Sequence, residues 1–559
     1  MGDAIVGIDL GTTNSLVAVA TGGRPRVLPV DGLPLLPSVV GLDEQGQRII
    51  GQAARNQYVA APERTIRSIK RQMGKADYRA PLGDLSFTPE EVSGWILRRL
   101  AEAAAEQLGQ EVRRAVITIP AYFSDRQRQA TLRAGELAGL EVVRLLHEPT
   151  AAALVYGLQQ TGARTALVYD LGGGTFDVSL VEVDEGLTEV RASHGNRELG
   201  GDDFDALIVD HLVTEFRRQH AVDLRADRLA MARVVRAAEN AKIRLSDHPY
   251  AEVREEFLVT DRGRPLHLEA ELSRDWFAQA IEPLLLGTLD SVRRALKDGG
   301  LDARAVDEVL LVGGSTRIPR VRELVAEELH GEPRQQLDPD LAVALGAAVQ
   351  AAVVAGEAVD AVLVDVCPHS LGVQARALRA GELDDDAFVP IIPRNTAIPV
   401  SRSERFWTSY PDQTSVRIRV YQGEDATASR NTHLGEFLFE RLSPDPEGGQ
   451  REVLVAFDYD INGLLHVAAV DRRNGRREVI HVDTGALSEV AAAGAALPPE
   501  GAALLIRLRA LEGVLADSPA RAALDALVAG AEGLGEDAAA LAAWQEEASA
   551  FLFEHSPEY

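Results

Sequence analysis

Cysteine is almost absent from this 559-residue chain, which contains only Cys367. A single cysteine excludes an internal disulfide framework and favours a reducing compartment. Long hydrophobic runs are missing as well, because the longest apolar stretch, 341–356, is interrupted by Gln350 and is too short to span a bilayer. No basic leader with a cleavage site precedes the first predicted strand at Ile5. The sequence therefore predicts a cytoplasmic protein in which Cys367 is a small buried side chain.

Positive charge is also scarce. The chain has 58 Lys and Arg residues against 85 Asp and Glu residues, which gives a net charge of −27. Such an acidic surface argues against nucleic acid or an anionic membrane as a partner. The pattern G-x-x-x-x-G-K-[ST] is missing, which excludes the P-loop class of nucleotide-binding proteins. The length predicts about three or four domains.

Three consecutive glycines follow a short apolar strand in the segment 170–175, DLGGGT. Backbone N–H groups without neighbouring Cβ atoms can converge on an anion. A carboxylate beside a phosphate requires a cation between them, so we expect Mg²⁺ with its water shell at Asp170. For this segment alone, a glycine-rich hairpin that binds nothing is an equally good interpretation.

A second copy of the pattern favours the nucleotide interpretation. An apolar strand at 5–8 leads into DLGTT at 9–13, and another apolar strand follows at 16–20. Two related halves that each present a glycine turn and an acidic residue predict a nucleotide held between two lobes. These paired motifs resemble the superfold shared by actin, sugar kinases and heat-shock chaperones. Residues 1–355 alternate strands and helices, as expected of an α/β domain.

Six motifs resemble those of DnaK-type heat-shock chaperones of the heat shock protein 70 family, in the family's order: IDLGTTNS, ITIPAYFSDRQRQAT, HEPTAAALVYGL, YDLGGGTFDVSL, LGGDDFD and VLLVGGSTRIP. The resemblance implies an actin-like two-lobed α/β ATPase domain at 1–357 and a linker at 358–366. It further implies an antiparallel β-sandwich peptide-binding domain at 367–484 and a short α-helical lid at 485–559. The implied activity is ATP hydrolysis coupled to the binding of extended apolar segments of unfolded proteins.

The resemblance also implies the residues of the nucleotide site. Asp9 and Asp170 would hold Mg²⁺ through water, and Lys70 would lie near the γ-phosphate. Glu148 would position the attacking water, and Thr175 would contact the γ-phosphate. The other implied ATP- and ADP-binding residues are Gly11, Thr12, Thr13, Asn14, Gly172, Gly173, Gly174, Gly200, Gly201, Glu239, Lys242, Ser246, Gly313, Gly314, Ser315, Arg317 and Asp340. K⁺ is a further candidate ion.

Several of these residues have ordinary interpretations when they are considered without the resemblance. Lys70 stands in a basic loop, where a lysine is usually a solvated surface group. Pro149 fits the first position of a helix, so Glu148 would lie at its N-terminus, where the helix dipole favours a carboxylate. Glu239 and Lys242 share one helix face and could form an exposed salt bridge.

The segment 360–365, DAVLVD, is a short apolar run bounded by acids. Because a free strand of this kind exposes its backbone, we expect it to dock reversibly as an added strand at a sheet edge. The resemblance assigns communication between domains to this linker, with Pro120 and Arg128 as relay residues. Arg144 and Asp365 match positions that engage a J-domain co-chaperone, and a nucleotide exchange factor is a further candidate partner.

From 366 to about 483 the pattern changes to period two, and the dipeptides at 462–463 and 474–475, both Asn-Gly, predict hairpin turns. The resemblance places Val373, Phe406, Val416 and Ile418 in the peptide cleft, whereas the pattern alone favours an ordinary sandwich core. The segment 374–389 is longer than the family's arch and contains three acids at 384–386, which we expect to repel an acidic lid. Ser409 and Tyr410 also depart from the family, so the peptide preference stays open.

The C-terminal stretch 499–554 contains three short Ala/Leu-rich helical patterns and no lysine. The family's usual lid has one longer helix followed by a tail. This reduced lid and a short first lobe most resemble the HscC branch. Two other functions on the same superfold are a small-molecule kinase and an actin-like filament scaffold. Neither requires a β domain joined by an acid-bounded linker, so residues 360–483 argue against both.

Overall fold

The computed structural model describes residues 4–158, 160, 162–184, 186–331, 333, 338–357, 359, 361–379, 382–445, 448–471, 473, 477–481, 521–532 and 544. The chain divides into two compact units, 1–368 and 369–559. The predicted linker therefore belongs to the first unit. None of the helices within the described ranges is long and apolar enough to cross a bilayer.

The first unit alternates strands and helices, as the sequence predicts. Its strands are β1 Ile5–Asp9, β2 Asn14–Thr21, β3 Arg24–Leu28, β4 Leu36–Pro37, β5 Val40–Leu42, β6 Arg48–Ile50, β7 Thr65–Ile66, β8 Ala80–Leu82, β9 Leu85–Phe87, β10 Arg114–Ile119, β11 Glu141–His147, β12 Arg164–Leu171, β13 Phe176–Asp184, β14 Leu187–Asn196, β15 Tyr250–Asp261, β16 Arg264–Ser273, β17 Glu308–Val312 and β18 Val362–Val366. Its helices are α1 Gln52–Gln57, α2 Pro89–Leu108, α3 Asp125–Ala138, α4 Glu148–Gly157, α5 Gly201–His220, α6 Arg228–Asp247, α7 Arg274–Asp298, α8 Pro319–Leu329 and α9 Ala342–Val354.

Two mixed sheets form the centres of the two lobes. The first has the order β11-β10-β1-β2-β3, and the second has the order β17-β12-β13-β14-β18. In each sheet the strand that ends in Asp-Leu pairs antiparallel with the next strand and parallel with a later one: β1 with β2 and β10, and β12 with β13 and β17. The internal duplication predicted from the two Asp-Leu-Gly turns is therefore confirmed.

Helices α4 and α9 join the two sheets. Both are buried on nearly all sides and share one apolar core with residues of both sheets, among them Val116 of β10 and Val168 of β12. The helices meet at Gly346, where an added Cβ would lie 1.8 Å from the Ala151 carbonyl oxygen. Only glycine permits this approach. An interior packed this closely does not deform continuously, so the α4–α9 pair forms a rigid connection between the two lobes.

Helix α4 begins at Glu148, with His147 as its N-cap residue and Pro149 in its first turn. The helix therefore starts one residue earlier than the sequence predicts. A proline in the first turn removes no hydrogen bond, because those N–H groups have no partner within the helix. The prediction that Glu148 lies at a helix N-terminus is confirmed.

The second unit contains two antiparallel four-stranded sheets, ordered β20-β19-β23-β24 and β22-β25-β26-β27. Its elements are β19 Leu371–Arg379, β20 Glu382–Ile392, β21 Ala397–Ile398, β22 Val400–Trp407, β23 Val416–Gln422, β24 Thr432–Phe439, β25 Glu452–Tyr459, β26 Leu465–Val470, β27 Arg477–His481 and α10 Arg521–Glu532. The turn predicted at Asn462–Gly463 joins β25 to β26, with Gly463 at a φ of 71°.

Two predictions fall largely outside the described residues. The second predicted turn, 474–475, lies outside them entirely. Of the predicted helical lid, only α10 and residue 544 are described. Leu524 of α10 is buried, and the Trp544 indole N–H donates to the Leu527 carbonyl at 2.8 Å. This part of the C-terminal stretch is helical, as its Ala/Leu pattern predicts.

Candidate functional site

A cleft of about 420 Å³ opens in the first unit at the turns that follow β1 and β12. Both turns therefore face the same space, as the duplicated motifs predict. The predicted site residues that line it are Asp9, Gly11, Thr12, Thr13, Asn14, Lys70, Glu148, Asp170, Gly172, Gly173, Thr175, Glu239, Lys242, Ser246, Gly313, Gly314, Ser315, Arg317 and Asp340.

The two turns touch each other at the base of the cleft. A Cβ added at Gly173 would lie 2.0 Å from the Thr13 hydroxyl oxygen, so only glycine allows this contact. Three further predicted glycines, Gly174, Gly200 and Gly201, do not line the cleft. Gly201 lies behind the triglycine turn, where its N–H donates to the Gly172 carbonyl at 2.9 Å. Its position in this structure supports the turn.

Lys70 is buried and paired with Glu148, in a short 3-10 helix that spans Ile69–Gln72. The Lys70 Nζ atom lies 2.5 Å from Glu148 Oε1, and the two side chains are only 5% and 10% exposed. The interpretation of Lys70 as a solvated surface group is therefore wrong. The basic residues around it are partly exposed, but this lysine points into the cleft, where burial strengthens its attraction to a carboxylate.

Three buried aspartates surround this ion pair. Burial and then repulsion from Glu148 raise the pKa of Asp9 to about 7 and the pKa of Asp177 to about 8. The same two causes, in the same order, raise the pKa of Asp170 well above its usual value. One lysine does not balance so many carboxylates in a space with little water. The cluster therefore favours an additional cation.

The residues present fit a hydrated magnesium ion. The Asp170 Oδ2 atom is buried and has no hydrogen-bond partner among the described residues. Asp9 accepts one hydrogen bond, from the Thr118 hydroxyl at 3.1 Å, which leaves its other oxygen available. Carboxylate oxygens are the ligands that Mg²⁺ prefers, usually with several waters retained.

Asp177 was not predicted from the sequence. It is the second residue of β13 and lies two positions after Thr175, which precedes the strand. Its carboxylate accepts the Tyr122 N–H at 3.0 Å and lies within the field of Glu148. The two-residue spacing between Thr175 and Asp177 is the sequence pattern that could have identified Asp177. Arg55 and Ile243, which also line the cleft, had no such pattern.

The predicted nucleoside side of the cleft is rich in ion pairs. Lys242 of α6 binds Asp205 at 2.8 Å, and Arg317 binds both Asp338 and Asp340 at 2.7 Å. Asp338 stands where the resembling family usually has Asn. The carboxylate there gives Arg317 a second charged partner and holds the guanidinium at the cleft wall.

A second set of ion pairs connects the two lobes across the cleft. Glu239 of α6 accepts hydrogen bonds from Arg55 at 2.7 Å and from Arg67 at 3.1 Å, both residues of the first lobe. Arg71 of the first lobe pairs with Asp203 of α5 at 2.5 Å. Because these side chains are only partly exposed, solvent screens the pairs less than it screens fully exposed ion pairs. The pairs restrain separation of the two lobes.

We expect Arg67→Gln to accelerate nucleotide release about tenfold, because it removes one of the two arginines that bind Glu239 without changing a residue that lines the cleft. A tenfold change corresponds to ~1.4 kcal/mol of lost closure energy. Stopped-flow displacement of a fluorescent ADP analogue measures this rate. The exposed arginine Arg26 of β3 provides the matched control, Arg26→Gln. Equal release rates in the two variants would contradict the prediction.

The linker is an added strand. β18 pairs in parallel with β14, with Val362 opposite Leu187 and Val364 opposite Glu189. The predicted docking of this segment at a sheet edge is therefore confirmed. Asp365 on this strand is 4% exposed. A carboxylate buried in this way requires partners.

Two of the predicted coupling residues lie close to Asp365. Arg144 of β11 acts on its carboxylate, and Arg128 of α3 reaches it through His147. Pro120 follows β10. Burial opposes ionisation of Asp365, but His147, the Val366 N–H and Arg144 outweigh it, so the pKa of this carboxyl lies below its usual value. Arg144 and Asp365 are both buried. A co-chaperone could contact them directly only after they become exposed.

The predicted peptide-cleft residues of the second unit lie on both sheets. Val373 of β19 and Ile418 of β23 are buried, and Val416 of β23 is half-buried. Phe406 is half-buried on β22 of the other sheet. Strands β19 and β23 pair directly, so the first three residues share one sheet.

The acids at 384–386 have partners within the second unit, which partly compensate their charge, and repulsion of an acidic lid stays a prediction. Asp384 pairs with Arg379 at 3.4 Å, and Asp385 pairs with Arg376. Asp386 accepts hydrogen bonds from the Gln374 side chain at 2.9 Å and from Ser429. The arginines on the facing strand of the β19–β20 hairpin neutralise much of this charge. A run of adjacent acids in the sequence does not show that they pair with side chains on a neighbouring strand.

Comparison with known proteins agrees with this architecture. The family model described as Hsp70 protein matches residues 5–492. The chain is 46% identical over 485 residues to the "Chaperone protein DnaK" of two strains of Halobacterium salinarum, ATCC 29341 and ATCC 700922. Each match covers 87% of this chain and 76% of the relative. The chain belongs to the Hsp70 family. It is an ATPase and an ATP-dependent chaperone, and the kinase and scaffold alternatives are excluded.

Proposed function

We propose that this Hsp70-family chaperone couples hydrolysis of ATP in the first unit to the binding and release of extended apolar peptides in the second. The observation that carries the proposal is the linker strand β18, which pairs with β14 of the ATPase sheet and contains the buried Asp365. A strand that docks on one unit and continues into the other can report the state of the first to the second.

In the ATPase site, Asp9 and Asp170 would hold hydrated magnesium, which supplies neutralisation of the phosphate charge when it is bound. Lys70 places a further positive charge beside the γ-phosphate. Glu148, fixed by Lys70 and by the start of α4, orients the attacking water. Thr175 donates to the γ-phosphate from the glycine turn. Each of these groups aligns a reactant or neutralises phosphate charge, and these are the contributions that phosphoryl transfer requires of a protein.

The peptide site would lie in the second unit, near Val373, Phe406, Val416 and Ile418. Unfolded protein segments and a J-domain co-chaperone are the expected partners, with a nucleotide exchange factor as a further candidate. A cytoplasmic location also stays a prediction. The β19–β20 hairpin carries paired charges at 376–386 and gives this unit a polar rim. The contrast between this polar rim and an apolar cleft would make the unit select apolar peptides.

Asp365→Ala tests the coupling. We expect basal ATP turnover within about twofold of the parent chain and loss of peptide stimulation, because the substitution removes a linker contact and leaves the phosphate-binding turns unchanged. Basal and stimulated turnover are measured on one preparation. Asp77→Ala, at an exposed position of the first lobe, is the matched control. Undiminished stimulation in Asp365→Ala would remove the linker from the mechanism.

A further inference from the structure

His147 connects the linker to the ATPase lobe through both of its ring nitrogens. It is the last residue of β11 and the N-cap of α4, and it is 3% exposed. Its Nδ1 atom lies 3.0 Å from the Asp365 carboxylate, and its Nε2 atom lies 2.8 Å from Arg128 Nη2. A buried imidazole ring with a hydrogen-bond partner at each nitrogen is held in one orientation.

The chemistry of the two partners assigns the proton. An arginine guanidinium has donors and no acceptor, so Nε2 must accept from Arg128 and cannot carry hydrogen. The ring proton therefore lies on Nδ1 and is donated to Asp365. In this arrangement His147 is neutral, and the direction of both hydrogen bonds is fixed.

The charged groups around the ring come from three elements. Arg128 of α3 and Arg144 of β11 are positive, and Asp365 of β18 is the negative group that faces it. Arg128 also donates to the Ala121 carbonyl at 3.3 Å, and its charge acts on Asp177, which in turn lies in the field of Glu148 and Lys70. The residue that follows His147 is Glu148, at the cleft. A contiguous chain of contacts therefore leads from the linker to the site of hydrolysis.

We propose that His147 is a positioning residue whose two nitrogens carry separable parts of the linker response. Nδ1–H holds the docked linker through Asp365, and unprotonated Nε2 transmits docking to Arg128. The proposal rests on the coupling proposed above.

Two substitutions test the roles of the two ring nitrogens separately. The amide of an asparagine occupies the place of Nδ1, so His147→Asn can donate to Asp365 but does not reach Arg128. The amide of a glutamine occupies the place of Nε2, so His147→Gln can accept from Arg128 but has no donor for Asp365. A residue with only a structural role would lose both functions in both variants.

The full chain contains a natural probe that reports whether the linker strand β18 is docked. Cys367, the only cysteine, is buried next to the linker strand. The rate of its labelling with a thiol reagent, relative to the unfolded chain at the same pH, measures protection of the linker. Labelling is carried out with a non-hydrolysable ATP analogue. The second measurement is the ratio of turnover with an unfolded peptide to turnover without it.

At about pH 7.5 we expect His147→Asn to keep Cys367 protection within about twofold of the parent chain and to lose peptide stimulation. We expect His147→Gln to label at least about tenfold faster than the parent. Circular dichroism and nucleotide-binding measurements verify that all chains are folded.

Two results would overturn the inference alone. These are loss of both protection and stimulation in both variants, and full peptide stimulation in His147→Asn. A third result is different: if Cys367 protection in the parent did not respond to nucleotide and turnover did not respond to peptide at about pH 7.5, the proposed coupling would fail together with the inference. The experiment therefore distinguishes the two failures.

Discussion

Lys70→Met is expected to slow single-turnover ATP hydrolysis at least about a hundredfold. The substitution removes the positive charge nearest the proposed γ-phosphate position, and loss of one such electrostatic contact typically costs about a hundredfold to a thousandfold in rate. It also leaves Glu148 buried without its 2.5 Å partner, so the carboxylate that orients water loses its fixed position. ATP affinity should fall less than tenfold, because the nucleoside side of the cleft is unchanged.

Lys75→Met is the matched control. Lys75 lies five residues further along and is exposed, and its Nζ atom donates to the Gln72 side chain at 3.1 Å. Rapid-quench measurements on preformed ATP complexes give the hydrolysis rate for both variants. A rate for Lys70→Met within about threefold of the rate for Lys75→Met would contradict the assignment. A shift of the unfolding midpoint by ADP would verify that the Lys70 variant still folds and binds nucleotide.

The nucleotide-free chain is expected to lose stability as the pH rises from about 6 to about 8. Asp9 and Asp177 have pKa values of about 7 and about 8 in the folded chain, against a usual value of 3.8. In this range the folded state binds protons that the unfolded state has already released, so the free energy of unfolding falls with increasing pH. Each pKa unit corresponds to ~1.4 kcal/mol, and we expect a loss of about 2 kcal/mol or more.

Asp177→Asn isolates this effect from the titration of histidines elsewhere. Asparagine keeps an oxygen that accepts the Tyr122 N–H but cannot ionise, so the variant should lose less stability over the same range. Urea unfolding of the first unit can be followed by Trp95 and Trp276 in chains that carry Trp407→Phe and Trp544→Phe. Magnesium with ADP should flatten the profile of the parent. Parallel profiles for parent and Asp177→Asn would contradict the prediction.

The sequence is most informative where a pattern repeats. The two Asp-Leu-Gly turns predict the paired hairpins, their location at one cleft and the role of glycine at 173, because backbone geometry there depends on local residues. The apolar run at 360–365 likewise predicts an added strand, since an unpaired strand edge needs a partner. These features could be derived before any side-chain contact was known.

The rest depends on contacts between distant parts of the chain. Lys70 is separated from Glu148 by 78 residues, and His147 is separated from Asp365 by 218. Nothing in the local sequence shows that a lysine in a basic loop is buried, or that a histidine before Glu-Pro bonds to the linker. The acids at 384–386 show the same limit, because Arg379 and Arg376 pair with Asp384 and Asp385 across a hairpin. Local charge counts do not include such partners.

The contact between α4 and α9 limits how the ATPase unit can change shape. At Gly346 the two backbones are too close for either helix to slide along the other, and at Gly7 an added Cβ would lie 2.1 Å from the Ala348 nitrogen, so α9 is equally close to β1. Sliding of packed helices needs side-chain layers that can exchange neighbours, and backbone contacts this close at Gly346 and Gly7 oppose such an exchange. The lobes are therefore expected to rotate about a hinge axis through α4 and α9. On such an axis a small rotation at the base becomes a displacement of several ångströms at the cleft mouth, where Glu239 meets Arg55 and Arg67.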